Sequence, residues 1–503
     1  MIEKYYDGAI EQVAAGLGTV EKNHLLVRYS GQFSVENLND TKQLEKNEDI
    51  FVQVHEFETG EITCAYEPYL TMICDGFRRY MTGTFEEFME TCDVYYLHRP
   101  VLLGYFNQDN TGREEIILLD EVAYEQERML AALERMLCAI ADRHPVLFVL
   151  NRFQLASKST MQLTARFLKC ENCNIGLVLG VSDIQAMPEF LVPDWEMLYE
   201  TLDDGSKIYH IGNSGRKKEE TIDDEKYVDY GSEKVYRKLQ NMVEFLDFDQ
   251  AAYYLETIER KIKFDNLLVD DAARFRMWLL FVKVSILRQD IPKALEICED
   301  LEKIHLAGKE EECAYEQDYL IATAYMYQGK LKEALEMAGE TYRIAGKMSD
   351  DYRMFLSELL EAKIQMSGWY NIFFCAQDVK IKESLIQNLI RYNYRNHLAH
   401  VYIYAYDNKP EIVKKANQSE ELLIYFSRGI RIAKKLGNEY LINMAYQKNI
   451  MLSSTNGMYE ISLLYSVRTY EALKDKRSIQ AGRIYSCLLY TSDAADEARS
   501  VDL

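Results

Sequence analysis

Two pairs of side chains have the spacing that metal or redox chemistry uses. Cys170 and Cys173 form a C-x-x-C pair, and His397 and His400 lie three residues apart on a predicted helix. A structural zinc ion takes four ligands, and no second pair lies at a suitable spacing. A redox pair would require a thioredoxin-like sequence around it, which is absent. We therefore expect ordinary thiols, structural histidines and no bound metal ion.

Isolated histidines and clustered tyrosines are the next candidates. His98 and His144 have no catalytic pattern near them, so we interpret both as loop or core residues. Tyrosines are abundant, with 37 in the chain. Their rings either anchor partner proteins or pack between helices with the hydroxyl reaching water. We favour packing for one cluster, formed by Tyr392, Tyr394, Tyr402, Tyr404 and Tyr406.

The first part of the chain alternates short apolar runs with amphipathic segments. The run Val146–Leu150 is continuously apolar, as is typical of a parallel strand buried on both faces. From Met129 to Ile140 the apolar residues recur with a period near 3.6, as on one face of a helix. This alternation predicts an α/β fold with a mostly parallel sheet. The expected strands are 25–29, 50–54, 146–150 and 175–180, and the expected helices are 122–140 and 159–168.

A polar, charged stretch at residues 213–232 is interpreted as a linker between two domains. It separates a predicted α/β domain at 1–212 from a predicted helical repeat domain at 233–486. Within the second domain, Asp290–Ile297 recurs as Gly329–Met337. The distance in sequence between these two copies is a repeat period typical of stacked helical hairpins. Such hairpins bury their apolar faces only when at least three of them stack. The alanines at equivalent places of three repeats are Ala251, Ala294 and Ala334.

The segment His144–Thr160 resembles the Walker B region of the signal-transduction ATPases with numerous domains, the STAND class of P-loop proteins. In that class an apolar strand ends in two acidic residues, of which one holds the magnesium shell and the other polarises the attacking water. Asn151 and Arg152 occupy those positions, and neither supplies a carboxylate. The resemblance covers residues 20–200 and includes the helix at 124–130.

The same resemblance places a phosphate-binding loop after the first strand, at Tyr29–Asn37. A working loop of this kind needs glycines whose backbone N–H groups face the phosphates, together with a Lys and a Ser or Thr. The stretch has one glycine, no lysine and an acid at Glu36. We therefore predict a degenerate P-loop domain, retained as a scaffold, with no catalytic residue, no cofactor and no ATP hydrolysis. Nucleotide binding without hydrolysis is left open.

One repeat resembles a tetratricopeptide unit. The resemblance places Ile321, Ala322 and Tyr325 on the first helix of the unit, Gly329 at the turn and Ala334 on the second helix. Small residues at the two alanine positions would let the paired helices approach closely. The expected fold class is therefore α/β, like a degenerate P-loop NTPase, followed by an all-α, tetratricopeptide-like helical solenoid.

The combination resembles large regulators of gut Clostridia, in which these two parts sense and scaffold while a C-terminal module provides the output. The forms Leu150–Arg152 and Leu155–Ser157 resemble the subgroup whose output is a diguanylate cyclase, which makes cyclic di-GMP. The alternative is an ATP-responsive transcription regulator with a helix-turn-helix domain. We expect a non-enzymatic fragment that binds protein partners through its repeats. Self-association is a further use of such a surface.

Charge and hydropathy restrict the partners. Lys plus Arg number 58 against 81 Asp plus Glu, giving a formal charge of −23. Such an acidic chain would repel phosphates, so we expect no nucleic-acid binding by this portion. The start, Met1–Asp7, lacks a basic segment followed by an apolar one, and no apolar run is long enough to span a membrane. We expect a cytoplasmic protein without membrane contact.

Residues 487–503 resemble the in-frame translation of a sequencing adapter, as found in assembled environmental reads. We therefore treat them as an adapter-derived tail, and we expect the natural chain to continue beyond Ser486 with its output domain.

Overall fold

The structure is a computed structural model in which most of the chain is described. The described residues are 2–17, 24–29, 50–58, 61–109, 114–170, 174–182, 187–203, 207–211, 229–265, 267–366, 383–407, 427–455 and 459–473. Across these ranges, no helix combines the length and the apolar character needed to cross a membrane.

The chain divides into two compact units that interleave in sequence. The first unit comprises Met1–Arg113 and Gln126–Arg288, and the second comprises Glu114–Glu125 and Gln289–Leu503. A short segment between two stretches of the first unit thus belongs to the second. The predicted domain boundaries follow a different division of the chain and stay a prediction.

A parallel five-stranded sheet forms the centre of the first unit. Its strand order is β2-β3-β4-β1-β5, and every neighbouring pair runs parallel. The strands are β1 (Leu25–Tyr29), β2 (Phe51–Glu56), β3 (Val146–Asn151), β4 (Ile175–Ser182) and β5 (Lys207–Ile211). The prediction of an α/β fold with a mostly parallel sheet is confirmed.

Strands β3 and β4 are apolar up to their last residues, Asn151 and Ser182, as is typical of parallel strands that are buried on both faces. Every residue of β3 and of β4 is buried. Gly176 in β4 permits the close approach of the N-terminal helix: a Cβ at this position would lie 2.6 Å from Cγ1 of Val13. Val13 belongs to the apolar cluster that also holds Leu147 and Val178.

Ten α-helices accompany the sheet in the described part of the first unit. They are α1 (Ile2–Gly16), α2 (Tyr69–Tyr80), α3 (Phe85–Thr91), α4 (Arg99–Asn107), α5 (Val122–Ala141), α6 (Lys158–Lys169), α7 (Val192–Asp203), α8 (Glu233–Glu244), α9 (Phe248–Phe264) and α10 (Asp271–Leu287). The first four residues of α5 fall in the second unit. Ser157 begins α6 by accepting the backbone N–H of Thr160, as an N-cap residue does.

From Gln289 onward, the described part of the second unit consists of helices joined by turns. Its helices are α11 (Ile291–Leu301), α12 (Glu310–Gln328), α13 (Leu331–Lys347), α14 (Asp351–Met366), α15 (Glu383–Arg391), α16 (Arg395–Asp407), α17 (Glu439–Thr455) and α18 (Tyr459–Leu473). Residues 427–436 are also helical. The predicted succession of an α/β part and an all-α part is thereby confirmed as an architecture.

The α12–α13 hairpin illustrates why this sequence folds into paired helices. Gly329 ends α12 with φ 81°, a left-handed conformation that glycine adopts without steric cost. Ala322 on α12 and Ala334 on α13 are both fully buried in one apolar cluster. Side chains of this size let the two helices pack closely.

Helices α8 to α10 lie in the first unit, where polar contacts join α9 to α6. The buried carboxyl of Asp247, just before α9, accepts the backbone N–H of Ser159 at 3.0 Å. Lys158 forms an ion pair with Asp249, which also accepts a hydrogen bond from Arg288 at 2.8 Å. The first repeat of the sequence, around Ala251, is therefore part of the unit that contains the sheet.

Candidate functional site

The carboxyl ends of the parallel strands meet at one edge of the sheet, where ligands bind in open α/β folds. From β1 the chain proceeds to β2 on one side, whereas from β4, the neighbour of β1, it proceeds to β5 on the other side. Such a reversal opens a crevice beyond the strand ends. The residues that end the first four strands are Tyr29, Glu56, Asn151 and Ser182.

A hydrogen-bonded chain of side chains connects three of these strand ends. The hydroxyl of Tyr29 donates to Oδ1 of Asn151 at 2.6 Å, although β4 lies between their strands. Nδ2 of Asn151 donates to Oε1 of Glu56 at 3.3 Å. Asn151 is fully buried. The amide at the end of β3 is thus held by an acceptor on one side and a donor on the other.

Arg152 adds a positive charge to the same edge. Its backbone is left-handed, with φ 51° and ψ 42°, and this turns the chain out of β3. Its Nη2 lies 3.4 Å from Oε1 of Glu56, and the side chain is 26% exposed. The carboxyl of Glu56 is therefore engaged by both residues that occupy the predicted Walker B positions.

Tyr29 keeps its proton at physiological pH. Burial raises the pKa of Tyr29 to about 12, against the lowering effects of Arg152 and of the hydrogen bond to Asn151. A neutral phenol is a hydrogen-bond donor, which fits its contact with the amide oxygen.

Gln154 is hydrogen-bonded to the backbone at the end of β4. Its role had not been predicted from the sequence. Its Nε2 donates to the carbonyl oxygen of Ser182 at 3.2 Å, and its Oε1 accepts the backbone N–H of Ser182 at 3.3 Å. The side chain is buried. The sequence signal was a polar residue within the turn that follows a buried strand, which alone does not distinguish a structural amide from a ligand-binding one.

The chemistry available at this edge is hydrogen bonding without a metal-binding group of acids. Magnesium sites in nucleotide-binding folds use carboxylates together with phosphate oxygens. At this edge an amide and a guanidinium surround the carboxyl of Glu56, and a guanidinium repels a cation. Among the described residues, no group of three or more His, Cys, Asp or Glu side chains is arranged to hold a metal ion. The predicted phosphate-binding loop spans Tyr29–Asn37, of which residues 30–37 lie outside the described residues.

The other chemical candidates lie apart from this edge. Cys170 follows the last turn of α6, and Cys173 lies outside the described residues. His98 is fully buried beside Tyr95, with ring centroids 5.5 Å apart. His144 stacks on Tyr80 at 4.0 Å.

The two histidines that lie three residues apart in the sequence are both in the second unit and take part in its packing. His397 and His400 are both buried on α16. His397 pairs with Glu114, a residue of the short inserted segment, at 2.5 Å from its Nδ1. Burial lowers the pKa of His397, so the ring is neutral at physiological pH.

The repeat-signature residues lie inside the helical packing. Ala251, Ala294, Ala322 and Ala334 are fully buried, and Ile321 is buried as well. Tyr325 is half-buried at the same hairpin, where Nζ of Lys330 lies 5.3 Å from its ring centroid.

The tyrosine cluster belongs to an apolar core of the second unit. Tyr394, Tyr402 and Tyr404 are buried there, and Tyr392 packs against the cluster. The phenols of Tyr394 and Tyr352 are hydrogen-bonded at 2.7 Å. The side chain of Tyr406 lies outside the described residues. Four of the five tyrosines therefore serve helix packing.

A cleft of about 500 Å³ lies among α2, α4 and α8 in the first unit. Its charged lining includes Arg78, whose guanidinium is held by Asp75 at 3.2 Å and by the carbonyl of Phe106 at 3.0 Å. Arg237, Asp109 and Glu244 add charges of both signs. The lining therefore favours neither an anion nor a cation.

Comparison with known proteins identifies no family for this chain. No family model matches the chain, and no curated protein matches it. Among solved structures, the chain is similar to a Signal Transduction ATPase with Numerous Domains that has a tetratricopeptide repeat sensor, from Pyrococcus horikoshii. The identity is 10% and the TM-score 0.41, over 95% of this chain and 87% of the other. At these values the similarity does not define a function.

Proposed function

We propose that this chain is the non-catalytic sensor and scaffold part of a signalling protein, which binds protein partners through its helical repeats and neither binds nor hydrolyses ATP. The observation that carries the proposal is the hydrogen bond from Tyr29 to Asn151. It fills, with two neutral groups, the place at the carboxyl edge of the sheet where a magnesium-binding acid would otherwise lie.

Electrostatics supports the absence of hydrolysis. A magnesium ion in this crevice would meet the guanidinium of Arg152, and the one carboxyl beside it, that of Glu56, is already engaged. Replacing that carboxyl's partners by a hydrated metal would leave buried polar groups unpaired, at a cost of about 1–3 kcal/mol for each. A phosphate-binding fold without its metal lacks the charge that stabilises phosphoryl transfer.

The helical part supports an interaction role. Stacked helical hairpins create an extended concave surface to which several helices contribute. Proteins and peptides fit such a surface better than small molecules do, because its contacts are spread over several helices. A cytoplasmic location follows within this proposal.

Isothermal titration calorimetry with ATP and magnesium tests the proposal. We expect no binding heat with the intact chain. A matched variant replaces residues 30–37 by a glycine–serine loop of equal length. Micromolar binding by the intact chain that disappears in this variant would overturn the proposal and favour the alternative, an ATP-responsive transcription regulator.

The finer proposal is that the two units regulate an output domain encoded further along the gene, a diguanylate cyclase. Its support is the resemblance at Leu150–Arg152 and Leu155–Ser157. Sequencing the gene beyond codon 486 tests it. A GGDEF-type motif supports a cyclase, whereas a helix-turn-helix would replace this proposal by the transcription regulator.

A further inference from the structure

A short segment of the chain lies among the helices of the second unit although its sequence neighbours belong to the first. Glu114–Glu125 comprises residues that precede α5 and the first four residues of α5, and it belongs to the same unit as Gln289–Leu503. Residues 114–118 form neither helix nor strand, and a single 3₁₀ turn follows at Leu119–Glu121. Residues 114–118 are thus held by helices without being helical themselves, and helical arrays offer extended surfaces of the kind that bind such segments.

The first anchor of the segment is Glu114, which contacts the start of α16. Its Oε1 accepts the backbone N–H of His397 at 3.0 Å and lies 2.5 Å from Nδ1 of the same residue. Both side chains are buried. Because burial lowers the pKa of His397, the neutral ring places its proton on Nδ1 to donate to the carboxyl.

The second anchor is Glu115, which contacts two other helices. Its Oε2 accepts the hydroxyl of Tyr319, on α12, at 3.1 Å and lies 3.4 Å from Nζ of Lys363, on α14. Lys363 is only 5% exposed. Its two hydrogen-bond partners are Glu115 and the carbonyl of Ile116, both within the segment. A buried ammonium group is strongly unfavourable without such partners. The position of Lys363 therefore depends on binding this segment.

The third anchor combines apolar packing with an acid. Ile117 and Tyr124 are buried in a cluster that includes Ile403 of α16 and Tyr440 of α17. The carboxyl of Glu121 accepts Nδ2 of Asn438 at 2.8 Å, just before α17. Glu121 is also buried.

Among the described helices from α12 to α16, these anchors come from every second one, and a further anchor comes from the start of α17. The segment contacts α12, α14, α16 and the start of α17, whereas α13 and α15 lie between the first three in sequence. In stacked hairpins, alternate helices share one surface. That surface, formed by Tyr319, Lys363, His397 and Asn438, is called the acceptor groove below.

We infer that the acceptor groove is a recognition site for an extended acidic protein segment, and that Glu114–Glu121 occupies it as an internal ligand. The pattern it reads is two adjacent acids, Glu114 and Glu115, then four apolar residues, then an acid at Glu121, two positions after the last apolar residue. A partner protein that presents this pattern competes with the internal segment for the groove. This inference rests on the proposed function, because it names the partner of the same repeats.

The internal segment is tethered, so its effective concentration in the groove is on the order of millimolar. A free peptide of the same sequence should therefore bind the intact chain weakly, and should bind better once the internal segment is weakened. The probe is a fluorescein-labelled peptide with the sequence of residues 114–125, and the readout is fluorescence anisotropy with the full chain.

Three variants are compared with the intact chain. The double variant Glu115→Ala/Glu121→Ala should bind the peptide about tenfold or more tightly than the intact chain does. Adding Lys363→Met to it should abolish the gain, whereas Lys332→Met, at an exposed lysine on α13, should not. Equal binding by all chains, or tight binding despite Lys363→Met, would overturn the inference, as would binding of a control peptide with its acids changed to lysine.

A measurement on the intact chain covers the case in which the double variant does not fold. Hydrogen exchange should find the amides of residues 114–121 protected, and an excess of unlabelled peptide should accelerate their exchange. Unchanged exchange at saturating peptide would contradict internal occupancy. Failure in this experiment leaves the nucleotide titration unaffected, so the inference and the proposed function fail separately.

Discussion

The phenolic oxygen of Tyr29 lies 2.6 Å from Oδ1 of Asn151, and the two residues end strands that are separated by β4. A contact across an intervening strand requires both side chains to extend over the edge of the sheet. They therefore occupy the edge of the sheet at which nucleotide-binding folds hold phosphate and metal. This relationship connects the residue types that the sequence offers with the absence of hydrolysis that we propose.

Restoring an acid at the end of β3 should damage the fold instead of creating an active site. Asn151→Asp removes the donor to Glu56 and places two carboxyls where the amide and the carboxyl are 3.3 Å apart. We expect a loss of about 2–4 kcal/mol in the free energy of unfolding at neutral pH, and a smaller loss at pH 5. Urea unfolding at the two pH values measures it.

Tyr29→Phe is the matched control for that variant, because it removes one hydrogen bond and introduces no charge. It should cost about 1–2 kcal/mol at either pH. A fully stable Asn151→Asp chain that hydrolyses ATP would show that the edge is an incomplete active site and not a structural closure.

The contact between α6 and α9 depends on the oxygen of Asp247 and not on its charge. Burial raises the pKa of Asp247 above its ordinary value of 3.8, and the carboxyl accepts the backbone N–H of Ser159. Asp247→Asn keeps an acceptor and should change the stability by less than about 1 kcal/mol, whereas Asp247→Ala should lower it by about 2–3 kcal/mol. Thermal unfolding compares the two, and equal losses would refute this explanation.

Because of Asp318, on α12, the second unit should be more stable in mild acid than at neutral pH. Burial raises the pKa of Asp318 from 3.8 to about 6, with smaller contributions from Glu340 and Glu302. Because the folded state binds the proton more tightly, the stabilisation is complete below 3.8 and is lost as the pH rises through 6.

Asp318→Asn should therefore raise the free energy of unfolding by about 1 kcal/mol at neutral pH, a value discounted for the partial exposure of the group, and have little effect near pH 4. Chemical unfolding at both pH values is the measurement. The same effect at both would contradict the assigned titration.

A larger side chain at Ala334 should disrupt the close packing of α12 against α13, whereas an added methyl group at Gly339 should not. Ala334 is fully buried, so Ala334→Leu should overpack the hairpin and cost about 1–3 kcal/mol. A Cβ at Gly339 meets nothing within 4 Å, so Gly339→Ala should stabilise α13 by about 0.5–1 kcal/mol. Thermal unfolding of both variants tests the pair, and a tolerated leucine would show that the helices do not require a small residue.

Local sequence patterns were enough to predict the central strands. The run Val146–Leu150 predicted β3, which extends by one residue to Asn151, because burial on both faces leaves an apolar run. The helix predicted at 122–140 is α5, Val122–Ala141. Both signals lie within one element, and such signals can be read without tertiary information.

Contacts between distant residues were beyond the same reasoning. Glu114 and His397 are 283 positions apart, and neither has a local pattern that identifies the other. The sequence around Glu114 is a mixture of acids and isoleucines, which is equally typical of a surface loop. Gln154 is a similar case, because its two hydrogen bonds to Ser182 depend on how β3 and β4 pair.

The nucleotide content of the purified chain tests the central claim most directly. The chain is incubated with ATP and magnesium, separated from free nucleotide, and denatured, and the released nucleotide is quantified by chromatography. The account predicts none above background, because Tyr29, Asn151 and Arg152 offer a phenol, an amide and a guanidinium at this edge, and the carboxyl of Glu56 is engaged by the latter two. Stoichiometric ATP or ADP would contradict it.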